Sequence, residues 1–337
     1  MFVTVCARLE IGKLIMQQHR ISVIISRKQV EAQNISMFEL VASNGDQLPP
    51  FSAGAHIEIY MPNGITRQYS LCNHPRERHR YLIAVLRDSS SRGGSSFMHD
   101  SVSEGDVIPI SSPRNHFALA DDARRSILIA GGIGITPILS MAEQLHDAGA
   151  DFELHYAGRS LHRTAFVERI RAGSIGDRAR FYFDDGAADQ RFNAQSSVGK
   201  PADATHIYVC GPFGFIESVL GAARAAGWED TNLHREYFGA VVPVKSSTSD
   251  TFEMEISSTG QILLVPPGKS ALEVLSEHGV NISSSCEQGV CGTCLTRVIS
   301  GEPDHRDVFL SEAERLSNSH FTPCCSRAKS GRLVLGL

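Results

Sequence analysis

Ser285-Cys286-Glu287-Gln288-Gly289-Val290-Cys291-Gly292-Thr293-Cys294, followed after 29 intervening residues by Cys324-Cys325-Ser326-Arg327, is the stretch that decides how this chain is organised. Three thiols within nine residues, separated by glycines, suit a loop wrapped around something better than a packed core. Of the eight cysteines, Cys6, Cys72 and Cys210 are scattered, whereas Cys286, Cys291, Cys294, Cys324 and Cys325 crowd the last fifth. Disulfide frameworks belong to small secreted domains. The opening Met-Phe-Val-Thr-Val-Cys-Ala-Arg-Leu-Glu lacks the uninterrupted apolar run and small-residue cleavage site of a secretory signal. A cytoplasmic, metal-binding chain is therefore expected.

The spacing C-x4-C-x2-C with a fourth cysteine after 29 intervening residues resembles the plant-type [2Fe–2S] pattern, in which four thiolates hold two irons. Structural zinc sites instead pair short C-x2–4-C knuckles. Gly289 and Gly292 let the backbone turn tightly and aim N–H groups at sulfur. The spacing favours Cys324 over Cys325, so Cys286, Cys291, Cys294 and Cys324 are the expected ligands, with Cys325 packing beside them. Residues 251–337 read as an α+β, β-grasp ferredoxin unit. It has two strands around Gly260, a helix from Ser270 to His278 and a closing strand from Leu333 to Leu337.

Upstream, 241–250 (Val-Val-Pro-Val-Lys-Ser-Ser-Thr-Ser-Asp) has linker composition. Residues 121–240 alternate strands (Ser126–Ala130, Phe152–Ala157, Arg180–Phe183, His206–Cys210) with helices (136–148, near 163–171, 213–226), which implies an α/β parallel sheet. Gly131-Gly132-Ile133-Gly134-Ile135-Thr136-Pro137 leaves the first strand. Its glycines suit a close approach to a diphosphate, Thr136 is placed to cap the helix, and Pro137 fits its first turn. Cys210-Gly211-Pro212 ends another strand at the same sheet edge. Asp184 and Asp185 follow a third, where a carboxylate accepts from a ribose 2′-hydroxyl and repels a 2′-phosphate, favouring NADH.

Residues 20–120 read as short strands (Ile21–Ser26, Ile35–Val41, His56–Tyr60, Gln68–Cys72, Tyr81–Leu86) separated by turns such as 43–46 and 62–64, the pattern of an antiparallel β-barrel. A helix is expected to start near Ser95. Residues 1–19 match no motif and are read as an unassigned extension.

Arg67-Gln68-Tyr69-Ser70-Leu71, set before the glycine loop and the cysteine-rich tail, resembles the R-x-Y-S flavin motif of the ferredoxin–NAD(P) reductase superfamily. The order flavin domain, nicotinamide domain, C-terminal ferredoxin resembles the phthalate dioxygenase reductase and vanillate demethylase reductase family across about residues 20–337. That resemblance implies FMN. Arg67 would meet its phosphate, Gln68 would be among the cofactor-binding residues, Tyr69 would lie against the isoalloxazine, and Ser70 would bond the ring near its reactive nitrogen. Ala84, Val85 and Arg87 would line the flavin tail, and Gly93, Gly94 and Ser95 would hold the terminal phosphate. Gly132, Gly134, Thr136, Asp184, Cys210 and Gly211 would hold the nicotinamide nucleotide. In Glu236-Tyr237-Phe238-Gly239, Phe238 would stand beside the flavin. Ser70, Cys210 and Phe238 are thus the residues expected nearest the chemistry.

A nicotinamide delivers two electrons as hydride and a [2Fe–2S] cluster accepts one at a time, so a flavin between them is chemically required. The resemblance implies the NADH-dependent reductase of a Rieske non-haem iron oxygenase; the sequence leaves the oligomeric state open, a monomer included. A reductase for a cytochrome P450 and a non-turnover redox sensor are the alternatives. A dihydroorotate dehydrogenase subunit is disfavoured by the long Cys294–Cys324 gap and the flavin-first layout. Plant-type clusters sit near about −400 mV, low for an acceptor fed by NADH. A raised potential is expected here, from loop hydrogen bonds by groups such as Ser284 and Thr293. In 337 residues, 37 acidic against 32 basic side chains leave a net charge of −5 and no basic field for nucleic acid. The longest apolar stretch, Ile127 to Leu139, contains three glycines and is too short to span a membrane.

Overall fold

A computed structural model describes residues 20–62, 64–88, 93–238 and 251–337. The 1–19 extension with Cys6, Asn63 of the 62–64 turn, Gly239 and the 241–250 linker lie outside the described residues. The chain divides into two compact units between Glu236 and Tyr237.

The first unit opens with β1 (Ile21–Ala32), β2 (Ile35–Ala42), β3 (His56–Tyr60), β4 (Thr66–Ser70) and β5 (Tyr81–Leu86), then α1 (Gly94–Asp100) and β6 (Val107–Ile110). The sheet runs β4-β3-β6-β1-β2-β5. Its outer strands meet through a Leu71–Ile83 bridge, which curls the sheet toward closure. Alternate residues such as Val23, Ile25, Ile57 and Ile59 are fully buried inside the curl. β1 outruns the expected Ser26 because pairing with β2 continues to Ala32 across two register shifts, after Ile25 and after Val30. The β1–β2 turn places Asn34 at φ 63, a conformation asparagine tolerates. β6 escaped the sequence reading because Pro109 interrupts a four-residue run, yet it pairs with both β1 and β3.

The same unit continues with β7 (Arg125–Gly131), α2 (Ile135–Asp147), β8 (Asp151–Gly158), α3 (Val167–Ala172), β9 (Ala179–Phe183), α4 (Ala194–Val198), β10 (Thr205–Gly211), α5 (Phe213–Ala225) and β11 (Leu233–Tyr237). The sheet order is β11-β10-β7-β8-β9, with β10, β7, β8 and β9 parallel. Strand order reverses between β7 and β10, and in open α/β sheets a ligand crevice opens at such a reversal. One hydrophobic core joins Met37, Cys72, Leu82 and Ala84 of the curled sheet to Leu128, Ala130, Ile138 and Tyr156 of the parallel one. Cys72 is inert there: burial pushes its thiol up to about 12, and it donates to the Leu82 carbonyl at 3.3 Å.

The second unit contains β12 (Phe252–Ile256), β13 (Gln261–Val265), α6 (Ala271–Glu277), β14 (Thr296–Ser300), β15 (Pro303–Asp304), α7 (Glu312–Ser317), β16 (His320–Phe321), β17 (Arg327–Ala328) and β18 (Arg332–Leu335). Its main sheet runs β13-β12-β18-β14-β16, with β18 parallel to β12, and β15 pairs β17 in a separate two-stranded sheet. Ala271, Val274 and Leu275 of α6 share a core with Phe252, Met254, Leu263 and Leu333. The expected Ser270 start is the cap: Ser270 and Glu273 form a reciprocal capping box, and Ser311 with Glu314 repeats it on α7.

Leu128 is fully buried in the core that the two sheets of the first unit share. Leu128→Ala is expected to cost about 2–5 kcal/mol, lowering the denaturant midpoint with little change in m-value.

Candidate functional site

The crevice between β7 and β10 is shaped by backbone touching backbone. A Cβ on Gly134 would overlap the Cys210 carbonyl, and one on Gly211 would come within 3.0 Å of Gly131 Cα. Gly132 takes φ +55 with open space beside it, leaving this loop edge bare. The structure thus brings Gly132, Gly134, Thr136, Cys210 and Gly211 together at the carboxyl edge of the sheet. Thr136 does not cap α2: it sits one residue inside the helix, donating to the Ile133 carbonyl at 3.1 Å, and Gly134 holds the cap position. The short 3-10 turn Gly132–Gly134 displaced the start by one residue. The Phe215 ring packs over Gly131 and Gly211, a contact only these two glycines permit. Asp184 and Asp185 are exposed at the end of β9, with β8 between them and the loop; their N–H groups bond the Gly158 and Arg159 carbonyls.

On the curled sheet, Arg67 lies against Gly94, whose Cβ would fall 2.6 Å from Arg67 Cγ. Gly93 opens α1 at φ 98. Arg67 and the Gly93-Gly94 corner therefore form one cradle that a larger residue would fill, which fits a flavin phosphate. Ser95 Oγ accepts from the Asp88 N–H at 3.1 Å. Arg87 is drawn to Asp100, with two bonds of 2.6 and 2.8 Å. Ala84 and Val85 are buried, each in a different core. Gln68 pairs with Glu58 across β3 and β4, and Tyr69 packs on the barrel core, where burial raises its hydroxyl pKa. Phe238, one residue past β11, is exposed.

Glu236 was not singled out in the sequence. Its carboxyl accepts from the Ser70 hydroxyl at 3.3 Å, across 166 residues of chain. It also lies near Cys210, whose thiol is pushed up by burial first and by the Glu236 charge second. The residue keeps some exposed surface, but its carboxyl is densely surrounded. Loss of hydration pushes that carboxyl up to about 8, and the Ser70 bond offsets only part of the shift. At neutral pH Glu236 thus holds a proton beside Ser70 Oγ.

In the second unit the four expected ligands come as two pairs, and Cys325 lies beside Cys324. Cys286 and Cys291 share a hydrogen bond that draws the Cys291 thiol down to about 5, and Cys294 and Cys324 share another. The N–H of Gln288 donates to Cys286 Sγ at 3.3 Å and that of Thr293 to Cys291 Sγ at 3.5 Å. Gly289 and Gly292 adopt φ +72 and +68, and a Cβ on Gly292 would overlap the Phe309 ring. Among the described residues no three His, Cys, Asp or Glu side chains converge as one metal ion would require. Cys286 with Cys291 in the N–H-donating loop, and Cys294 with Cys324 from the later segment, match a dinuclear cluster, which asks for two thiolates per iron.

A family model for a 2Fe-2S iron-sulfur cluster binding domain matches residues 254–329, and one for the N-terminal domain of dimethylamine monooxygenase subunit DmmA-like proteins matches 109–233. A vanillate O-demethylase oxidoreductase of Pseudomonas putida is 54% identical over 317 residues, 94% of this chain and 99% of its own length. The solved structure of phthalate dioxygenase reductase, a modular structure for electron transfer from pyridine nucleotides to [2Fe-2S], is 40% identical with a TM-score of 0.75, covering 96% of this chain and 99% of that one. The chain belongs to the vanillate O-demethylase and phthalate dioxygenase reductase family. An intact type IV self-sufficient cytochrome P450 monooxygenase is also similar, 36% identical with a TM-score of 0.80, covering 94% of this chain and 41% of that one. No helix among the described residues of this family member is long and apolar enough to cross a membrane.

The Glu236 carboxyl yields a test on the cofactor-free protein. Because its folded value lies above the ordinary 4.5, its contribution to stability is complete below about pH 4.5 and is lost as pH rises through about 8. Glu236→Gln, which cannot ionise, is expected to flatten that part of the Tm-against-pH curve. Parallel curves for the two proteins would show Glu236 ionised normally.

Proposed function

We propose that this protein is the NADH-dependent reductase component of a Rieske non-haem iron oxygenase system, carrying electrons from NADH through FMN and a [2Fe–2S] cluster to the oxygenase. The observation that carries this reading is the presence, in one polypeptide, of a glycine-lined nucleotide crevice beside the Arg67–Ser70 strand and of an N–H-lined loop with Cys286, Cys291 and Cys294, the last of them paired with Cys324. We assign residues 20–120 to flavin binding, 121–240 to NADH binding and 251–337 to the cluster. When bound, FMN takes two electrons from NADH and releases them singly to the iron centre.

The chain's own residues provide position and protons. Gly132, Gly134 and Gly211 admit a diphosphate close to backbone N–H groups, and the Phe215 ring backs that crossing. Arg67 supplies positive charge next to Gly94 for a phosphate. Ser70 presents its hydroxyl where Glu236 stores a proton, so a group bonded to Ser70 has a proton donor within one hydrogen bond. Cys210, buried and held neutral, closes the crevice floor without charge. Cys286, Cys291, Cys294 and Cys324 would hold the cluster, and the Gln288 and Thr293 N–H groups stabilise negative charge on two of those sulfurs.

The likeness to a P450 monooxygenase chain favours a second reading, in which the electron acceptor is a haem oxygenase. Under anaerobic conditions NADH is expected to bleach both flavin and iron–sulfur absorption, and the released flavin to be FMN. Reconstitution then separates the acceptors: product formation with a Rieske oxygenase supports the first reading, and turnover with a P450 alone supports the second. A protein that binds NADH but reduces no artificial acceptor would be a sensor.

Asp184 sets the nucleotide preference in this scheme. Asp184→Ala is expected to reduce the ratio of kcat/KM for NADH over NADPH about tenfold, through loss of a ribose hydrogen bond and relief of repulsion toward a 2′-phosphate. An unchanged ratio would move that role to another residue.

A further inference from the structure

The first residues of α1 form the corner that meets Arg67, but the helix is fastened at its other end. Lys28 of β1 reaches across to that end, and its Nζ donates to the His99 and Val102 carbonyls, each at 2.7 Å. The lysine's own N–H donates to the Glu104 carboxylate at 2.8 Å, which fixes where its stem begins. The ammonium also lies 5.5 Å from the centre of the Phe38 ring. His99 makes a second fastening. A carbonyl can only accept, so the 2.9 Å contact between His99 Nε2 and the Val85 carbonyl puts a ring proton on Nε2. In the neutral ring Nδ1 then accepts from the Ser36 hydroxyl at 3.4 Å. Ser36 and Val85 are paired across β2 and β5, so one imidazole ties α1 to two strands. Met98 and Val102, flanking these contacts in sequence, are buried in the barrel core.

We propose that Lys28 and His99 are positioning residues for the flavin phosphate: by gripping the last turn of α1 they keep Gly93 and Gly94 against Arg67 at its start. The proposal rests on the reading of that corner as the phosphate cradle. α1 has only seven residues. A helix of two turns does not sustain itself in water, so what grips it decides where it lies. The last carbonyls of a helix have no partner within it, and a cation placed there satisfies them and suits the local dipole. Without the Lys28 ammonium, the His99 and Val102 carbonyls would have to turn toward water. The ends of α1 are about 10 Å apart, a range at which salt screens most of a direct attraction between Lys28 and a phosphate. The influence is therefore mechanical. It is passed on at a tight contact, since a Cβ on Gly94 would fall 2.6 Å from Arg67 Cγ and one on Gly93 3.1 Å from Ile65. Any shift of α1 changes that fit, and Arg67 with it. The exposed Arg87–Asp100 pair adds a third tie at the same end, of the kind that contributes little by itself.

The test uses the full chain, stripped of flavin and titrated with FMN or with riboflavin, which has the same ring and no phosphate. Flavin fluorescence gives a Kd for each. Lys28→Met keeps the stem and removes the ammonium. It is expected to raise the Kd for FMN about tenfold, the scale of a lost hydrogen bond to a charged group, and to leave that for riboflavin within about twofold. Lys28→Arg, which keeps donors for both carbonyls, should recover most of the FMN affinity. His99→Leu should weaken FMN selectively in the same way. Equal weakening of both flavins overturns the proposal, because Lys28 would then support the whole sheet and not the phosphate corner. An unchanged Kd for FMN in Lys28→Met and His99→Leu overturns it too. If Lys28→Met does not fold, His99→Leu decides by the same comparison. Failure of the underlying reading looks different: the unsubstituted chain would bind riboflavin as tightly as FMN, and the proposal would fall with it.

Discussion

Close approach of uncharged backbone governs both halves of this molecule. At the β7–β10 crossing, the Gly134 backbone lies on the Cys210 carbonyl, and at the cysteine loop Gly289 lies on a sulfur. Each contact excludes a Cβ, and in the cysteine loop the Gln288 and Thr293 N–H groups point at sulfur. A diphosphate and a reduced iron–sulfur cluster are both anions too large for one side chain to neutralise. Backbone dipoles fixed by packing meet that demand at no cost in reorganisation. Arg67, against Gly94, adds side-chain charge to the same design.

A second constraint lies in the placement of protons. Glu236 holds one beside Ser70 because its surroundings deny the carboxylate its hydration. Cys210 stays neutral for the same reason. The first unit thus keeps the floor of its crevice uncharged while offering a proton at a single point. Near the cysteines the order is reversed: the backbone N–H groups of Gln288 and Thr293 donate toward sulfur.

Much of this was legible in the sequence, and the reasons are local. Cysteine spacing, a glycine loop after an apolar strand and Arg67-Gln68-Tyr69-Ser70 are short-range signals whose chemistry dictates residue type at each step. Strand and helix boundaries followed where apolar periodicity was clean, as in β7 and α2. The reading failed where tertiary contacts decide. β1 runs past charged Arg27 and Lys28 because β2 supplies its pairing. Thr136 lost the cap to a 3-10 turn made by its neighbours. Arg87 found Asp100, thirteen residues away. Glu236 gave no signal at all, since a glutamate near the end of a strand is ordinary until the fold sets Ser70 against it.

The core shared by Met37, Leu82 and Ala84 with Leu128, Ile138 and Tyr156 bears on how the protein could be rebuilt. Severing the chain between the curled sheet and the parallel sheet would strip oil-like surface from both fragments and invite each to aggregate. A chimaera that swaps the electron exit of one reductase for another should be joined after Glu236, where the compact units part. The curled and parallel sheets, sharing one core, would have to be moved together.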